Sequence, residues 1–220
     1  MTLRELLAQG GPLSANAVVA VVAQALAGLH AAHELKAEDG TPMKLVHRDL
    51  SPRNLMVGFD GYVKVLDFGV AKAAGQTTFT AANEVRGKLR YLSPEQAVKA
   101  ELDRRSDLFA MATVAYEALT GTLPFDGDNS VVMLRAIHDF PPRPDPRIPP
   151  ALWNVLQLCF SKRREQRPDT AVQMAELLTG VVRPLEASAL GALVLRTVPK
   201  AAEATGRWGK LSGERTIGAQ

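Results

Sequence analysis

One cysteine in 220 residues cannot staple a fold, and Cys159 sits in the apolar run ALWNVLQLCF, where a small buried hydrophobe is expected. No charge of one sign dominates. The net charge is only +3, with acids and bases mixed along the chain, so no nucleic-acid patch is read. A leader-like start is also missing: Met1 leads into TLRELLAQGG rather than a leader core, and the apolar stretch towards the end, Ala187 to Leu195, is too short to span a bilayer. His30, His33 and His138 have no neighbours at metal-ligand spacing. There are no internal repeats. These absences lead to the expectation of a cytoplasmic protein that engages neither nucleic acid nor membrane. The 46% hydrophobic content is enough for one core and one domain.

The pattern is mostly helical. Thr2 to Gln9 predicts a short helix ended by Gly10-Gly11-Pro12. Ser14 predicts the N-cap of a long segment, Ala15 to Leu35, apolar nearly all round as a central helix would be. Asp39-Gly40 marks a turn within the polar stretch 36–44. Leu55–Val57 and Tyr62–Leu66 predict two short strands around Asp60-Gly61. Further helices are expected over Pro94–Val98, Asp107–Thr120, Asn129–His138, Ala151–Phe160 and Asp169–Leu178. PPRPDPRIPP, Pro141 to Pro150, reads as a stiff connector. Residues 70–92 read as a mobile loop, and 181–220 as a flexible tail.

The chemistry is concentrated on either side of the two strands. HRDLSPRN begins at His47, and Asp67-Phe68-Gly69 follows the second strand. Asp49, Asn54 and Asp67 stand in the order and spacing of a phosphoryl-transfer centre. One carboxylate there orients an acceptor hydroxyl and takes its proton; a second carboxylate and an amide oxygen suit a hard cation. Each tripeptide alone is a weak signal, but the ordered set is specific.

On these residues the chain resembles the protein kinase family, most of all bacterial Ser/Thr kinases of the eukaryotic type. Ser93-Pro94-Glu95 is similar to the Ala-Pro-Glu that closes the family's activation segment. Asp107 resembles the aspartate that anchors the catalytic loop's backbone, and Arg167 the arginine that pairs with Glu95. The likeness runs from about Thr2 to Leu178. It implies a mainly α fold with short β-hairpins, the large C-terminal lobe of a kinase over 1–180, with a catalytic loop at 47–54 and an activation segment at 67–95. It also implies ATP and Mg2+, with Asp49 as the catalytic residue, Asn54 and Asp67 as metal ligands and Met56 under the adenine. His47 is expected to pack under Phe68. Arg48 is expected to meet a phosphate on Thr77, Thr78 or Thr80.

Three positions depart from the family pattern. Ser51 stands where the family has a lysine for the transferring phosphate. Gly87-Lys88 stands where Ser/Thr kinases have Gly-Thr. Arg53 matches an arginine of many tyrosine kinases. The first two departures are expected to compensate, Lys88 bringing its ammonium to the vacant place, with Arg53 the second candidate. Loop drift that leaves both in solvent stays open.

Only 46 residues precede His47, and they contain neither a Gly-rich loop nor a strand lysine. The family's small lobe therefore reads as missing. Three accounts stay open: an active kinase whose start lies further upstream, an inactive remnant, or a kinase-like binding module. The partners expected are a protein substrate, and another kinase or a chain that brings the small lobe.

Overall fold

Helix starts in this protein are set by side-chain caps. Thr2, Ser14, Ser93, Asp103, Asn129 and Thr170 each accept a hydrogen bond from a backbone N–H of the turn they open. Thr2 with Glu5, and Ser93 with Gln96, complete reciprocal capping boxes. The computed structural model describes residues 1–68, 87 and 89–197. In chain order the elements are α1 (Leu3–Gly10), α2 (Ala15–His33), β1 (Leu55–Val57), β2 (Val63–Val65), α3 (Pro94–Ala97), α4 (Arg104–Thr120), α5 (Ser130–Asp139), α6 (Pro150–Cys159), α7 (Ala171–Val181) and α8 (Ala187–Thr197).

Two helices make the core. In α4 every residue from Ser106 to Thr120 is buried, and α2 buries its valine run together with Ala17, Ala20, Ala25 and Ala32. Such all-round burial requires neighbours on every side: α2 packs on α4, α7, α8 and β2, and α4 also on α6 and α7. Helix α2 is the one described helix long and apolar enough to cross a membrane, and here its apolar faces lie against those partners. Phe109, Phe125 and Phe160 meet in stacked and edge-on pairs 5.4–5.8 Å apart beside α4. Cys159 is buried as expected.

The strands β1 and β2 pair antiparallel, Leu55 opposite Val65 and Val57 opposite Val63. Their turn contains Gly61 at φ 78°, in the left-handed region that favours glycine. Before them, Lys36 bridges Pro42 in a small hairpin turned by Gly40, at φ 83°.

Several boundaries differ from expectation, and three of the differences have a physical cause. Helix α4 begins at Arg104, because Asp103 caps it and its first turn is charged rather than apolar. Pro150 opens α6 rather than ending the connector, since the first helical position needs no N–H. The third difference is larger. The expected tail contains α8, with Leu190 and Val194 fully buried against α1 and α2, so the packed unit runs to Thr197 instead of 180. The link is fixed by Asn16, whose Nδ2 donates to Arg183 O (2.7 Å) and whose O accepts from Leu185 N–H (3.1 Å). Two glycines then allow close backbone approach. A Cβ on Gly191 would lie 2.2 Å from Phe59 O, and one on Gly61 would lie 1.8 Å from Ala187 O. Residues 198–220 lie outside the described residues, as does most of the expected loop at 70–92.

A matched pair of substitutions tests this docking. Gly40 and Gly61 both have positive φ, but nothing lies within 4 Å of a Cβ at Gly40. Gly40→Ala should cost about 1–2 kcal/mol of backbone strain, and Gly61→Ala clearly more in urea unfolding, with faster proteolysis near α8. Equal costs would mean that α8 does not press on the β1–β2 turn.

Candidate active site

A buried carboxylate organises the loop that carries Asp49. Asp107, on the first turn of α4, is 1% exposed. It accepts the backbone N–H groups of His47 (2.8 Å) and Arg48 (3.0 Å), and the Nε2 of His33 lies 2.8 Å away. The loop bends sharply here: Arg48 has φ 66°, a conformation that costs a non-glycine residue roughly 1–2 kcal/mol. Asp67 has φ 54°. Strained backbone persists where the surroundings over-determine it, and such positions gather at functional sites.

Hydrogen bonds then join Asp49, Asn54 and the segment that enters Asp67. The turn Pro52–Asn54 presents Asn54, whose Nδ2 donates to Asp49 O (2.7 Å). Leu66 N–H donates to Asn54 O (2.8 Å), and the His47 ring lies 2.8 Å from Leu66 O through Nε2. That ring packs on Phe68 at 4.8 Å between centroids, as expected. The loop that carries Asp49 and the segment entering Asp67 are thus one hydrogen-bonded unit.

The residues fit a hard cation. Because Asn54 commits Nδ2 to Asp49 O, its Oδ1 is left as the amide's acceptor, and Asp67 is exposed beside it in sequence to the bonded Leu66. Among the described residues no three His, Cys, Asp or Glu gather in a metal-holding group. Mg2+ keeps several waters and needs only one or two carboxylates from protein, so this donor set suits it better than a transition metal.

Met56 lies on β1, half-buried, opposite Lys64 and bridged to Thr2. Arg53 is exposed and makes no ion pair or hydrogen bond among the described residues. Lys88, Thr77, Thr78 and Thr80 lie outside the described residues.

The model of the protein kinase domain matches residues 1–178. The chain belongs to the protein kinase family. It is 42% identical over 165 residues to the tyrosine-protein kinase MasK of Myxococcus xanthus, covering 73% of this chain and 26% of that protein. It is 34% identical over 184 residues to the probable serine/threonine-protein kinase PknB of Lactococcus lactis, covering 81% and 28%. It is 34% identical over 178 residues to the serine/threonine-protein kinase PrkC of Bacillus subtilis, covering 79% and 26%. The chain therefore spans about a quarter of the length of the curated relatives it matches.

Two further contacts of this kinase chain bear on the segment after the site. Glu95 and Arg167 form a buried bidentate pair at 2.7 and 2.8 Å, not a surface pair, and Ser106 Oγ adds a third bond at 2.7 Å. Burial alone would raise the Glu95 carboxyl, but Arg167 and Ser106 outweigh it and hold it at about 2. Tyr91 donates to Glu117 of α4 (2.5 Å), whose other oxygen meets Arg4 of α1 (3.2 Å). Burial and the neighbouring carboxylate push the Tyr91 phenol well up. Sequence reasoning missed this link and the bond from His33 to Asp107. The available signal for both was a charged residue, Glu117 or Asp107, inside an otherwise apolar helix, which demands partners.

The buried pair predicts an acid limb. A carboxyl held below its ordinary 4.5 stabilises the fold fully above pH about 4.5, and the gain is lost as pH falls towards 2. Glu95→Gln should flatten that part of the stability profile. Arg167→Ala should cost about 3–5 kcal/mol at neutral pH, because it strands a buried charge. A profile for Glu95→Gln as steep as that of the parent protein would contradict the assignment.

Proposed function

We propose that this chain is the helical, C-terminal lobe of a serine/threonine protein kinase, working on protein substrates in the cytoplasm when a small lobe is supplied. The observation that supports it best is the hydrogen-bonded unit joining Asp49, Asn54 and the approach to Asp67. Asp49 orients the substrate hydroxyl and takes its proton at a carboxylate oxygen. Asn54 Oδ1 and the Asp67 carboxylate hold Mg2+, and Met56 lies under the adenine. Mg2+-ATP, when bound, supplies the phosphoryl group and neutralises charge on it. Ser51 leaves no cation at the transferring phosphate; Lys88, or else Arg53, brings one there. Arg48 meets a phosphate on the activation segment at Thr77, Thr78 or Thr80.

Two alternatives stand beside it. Arg53 and the likeness to a tyrosine-protein kinase favour a tyrosine acceptor. The other is a catalytically inactive, kinase-like binding module that engages another kinase or a small-lobe-bearing chain.

The test joins the chain to the small lobe of a related bacterial kinase and follows phosphate transfer to a generic protein substrate, with phosphoamino-acid analysis of the product. Asp49→Ala should lower transfer by about 10²–10⁴-fold. Lys88→Ala should lower kcat about 10²-fold, while Lys99→Ala leaves it unchanged. Transfer indifferent to Asp49 would remove the catalytic reading, and equal small effects at Lys88 and Lys99 would remove the compensating lysine.

A further inference from the structure

Gln96 forms a hydrogen-bonded connection between the end of the activation segment and the loop bearing Asp49. It follows Ser93-Pro94-Glu95 and closes the capping box of α3, its Oε1 accepting Ser93 N–H at 3.0 Å. Its Nε2 donates to Arg48 O at 3.0 Å, 48 positions away in sequence. The two contacts fix the amide's orientation. Ser93 N–H needs an acceptor and Arg48 O needs a donor, so a flipped amide would fail at both ends. Arg48 is the residue at φ 66°, and its two flanking peptide groups are held from opposite sides: its N–H by Asp107, its C=O by Gln96. The next residue is Asp49.

We propose that Gln96 is a positioning residue. By holding Arg48 O it keeps the strained turn of the catalytic loop, and so the place of the Asp49 carboxylate, dependent on α3 being folded. An activation segment that loses α3 releases the loop. The functional consequence rests on Asp49 acting as proposed above; the structural link does not.

Gln96→Glu separates this role from plain capping. Glutamate is a good partner in a capping box and favours a helix start. If capping were all, the variant would be as stable as the parent chain or more so at pH 7, and would lose any advantage on acidification. If the bond to Arg48 O matters, a carboxylate there faces a carbonyl oxygen with nothing to donate. The variant should then melt about 2–4 °C lower at pH 7 and converge on the parent by pH 4, as the carboxyl gains a proton to donate. Amide exchange at residues 47–50 should quicken at pH 7 and recover in step, with α7 unchanged; Gln96→Ala should quicken it at both pH values. In the phosphotransfer assay, kcat should fall with KM for ATP unchanged. Stability equal to or above the parent at pH 7, unaltered exchange at 47–50, or an unaltered kcat would each overturn the proposal. A parent fusion without any transfer would instead count against the kinase reading, and the melting and exchange results would still decide the contact with Arg48.

Discussion

A carboxylate buried inside a hydrophobic helix is tolerated only if its oxygens are bonded, and Asp107 is bonded three times: to His33, to His47 N–H and to Arg48 N–H. This is the constraint on which the site depends. Desolvating an ionised carboxyl costs several kcal/mol, so folding α4 with Asp107 inside demands these donors. Two of them are main-chain groups of the loop that carries Asp49. The requirement of the core thus becomes a requirement on the loop, which is held in a shape that Arg48 would not adopt alone. From there Asn54, Leu66 and His47 carry the geometry to the strand end before Asp67.

Around that centre, buried polar contacts tie the segment after the site to the core helix α4 and to Arg167. Glu95 reaches Arg167 and Ser106, and Tyr91 reaches Glu117. The ties come from different parts of the sequence but converge on α4, so the position of the segment near 91–96 is set by the core rather than by its own propensity. At the other end, α8 returns to the β1–β2 turn and to α1, packing beside the strand that bears Met56.

Local chemistry was legible in the sequence wherever neighbours along the chain decide it. Thr2, Ser14, Ser93-Pro94 and Asn129 marked helix starts, Asp60-Gly61 marked the strand turn, and the spacing of Asp49, Asn54 and Asp67 marked the site. The Asp107 anchor and the Glu95–Arg167 pair were legible only through family resemblance. Bonds between distant side chains were not legible at all. His33 looked partnerless because Asp107 is 74 positions away, and nothing near Gln96 in the sequence points to Arg48, 48 positions before it. Helix α8 was read as tail because the segment from 181 onward was judged to lose periodicity; its stability comes from a groove built by α1, α2 and the turn at Gly61, which no local pattern announces.

The central claim is that Asp107 holds the loop that carries Asp49 through two backbone amides. Amide exchange in Asp107→Asn tests it most directly, because the amide side chain keeps the size but replaces an acceptor oxygen with a donor. The account predicts that His47 and Arg48 lose protection far beyond the general loss seen in α6 and α7. Protection at His47 and Arg48 that falls only in parallel with those helices would contradict it.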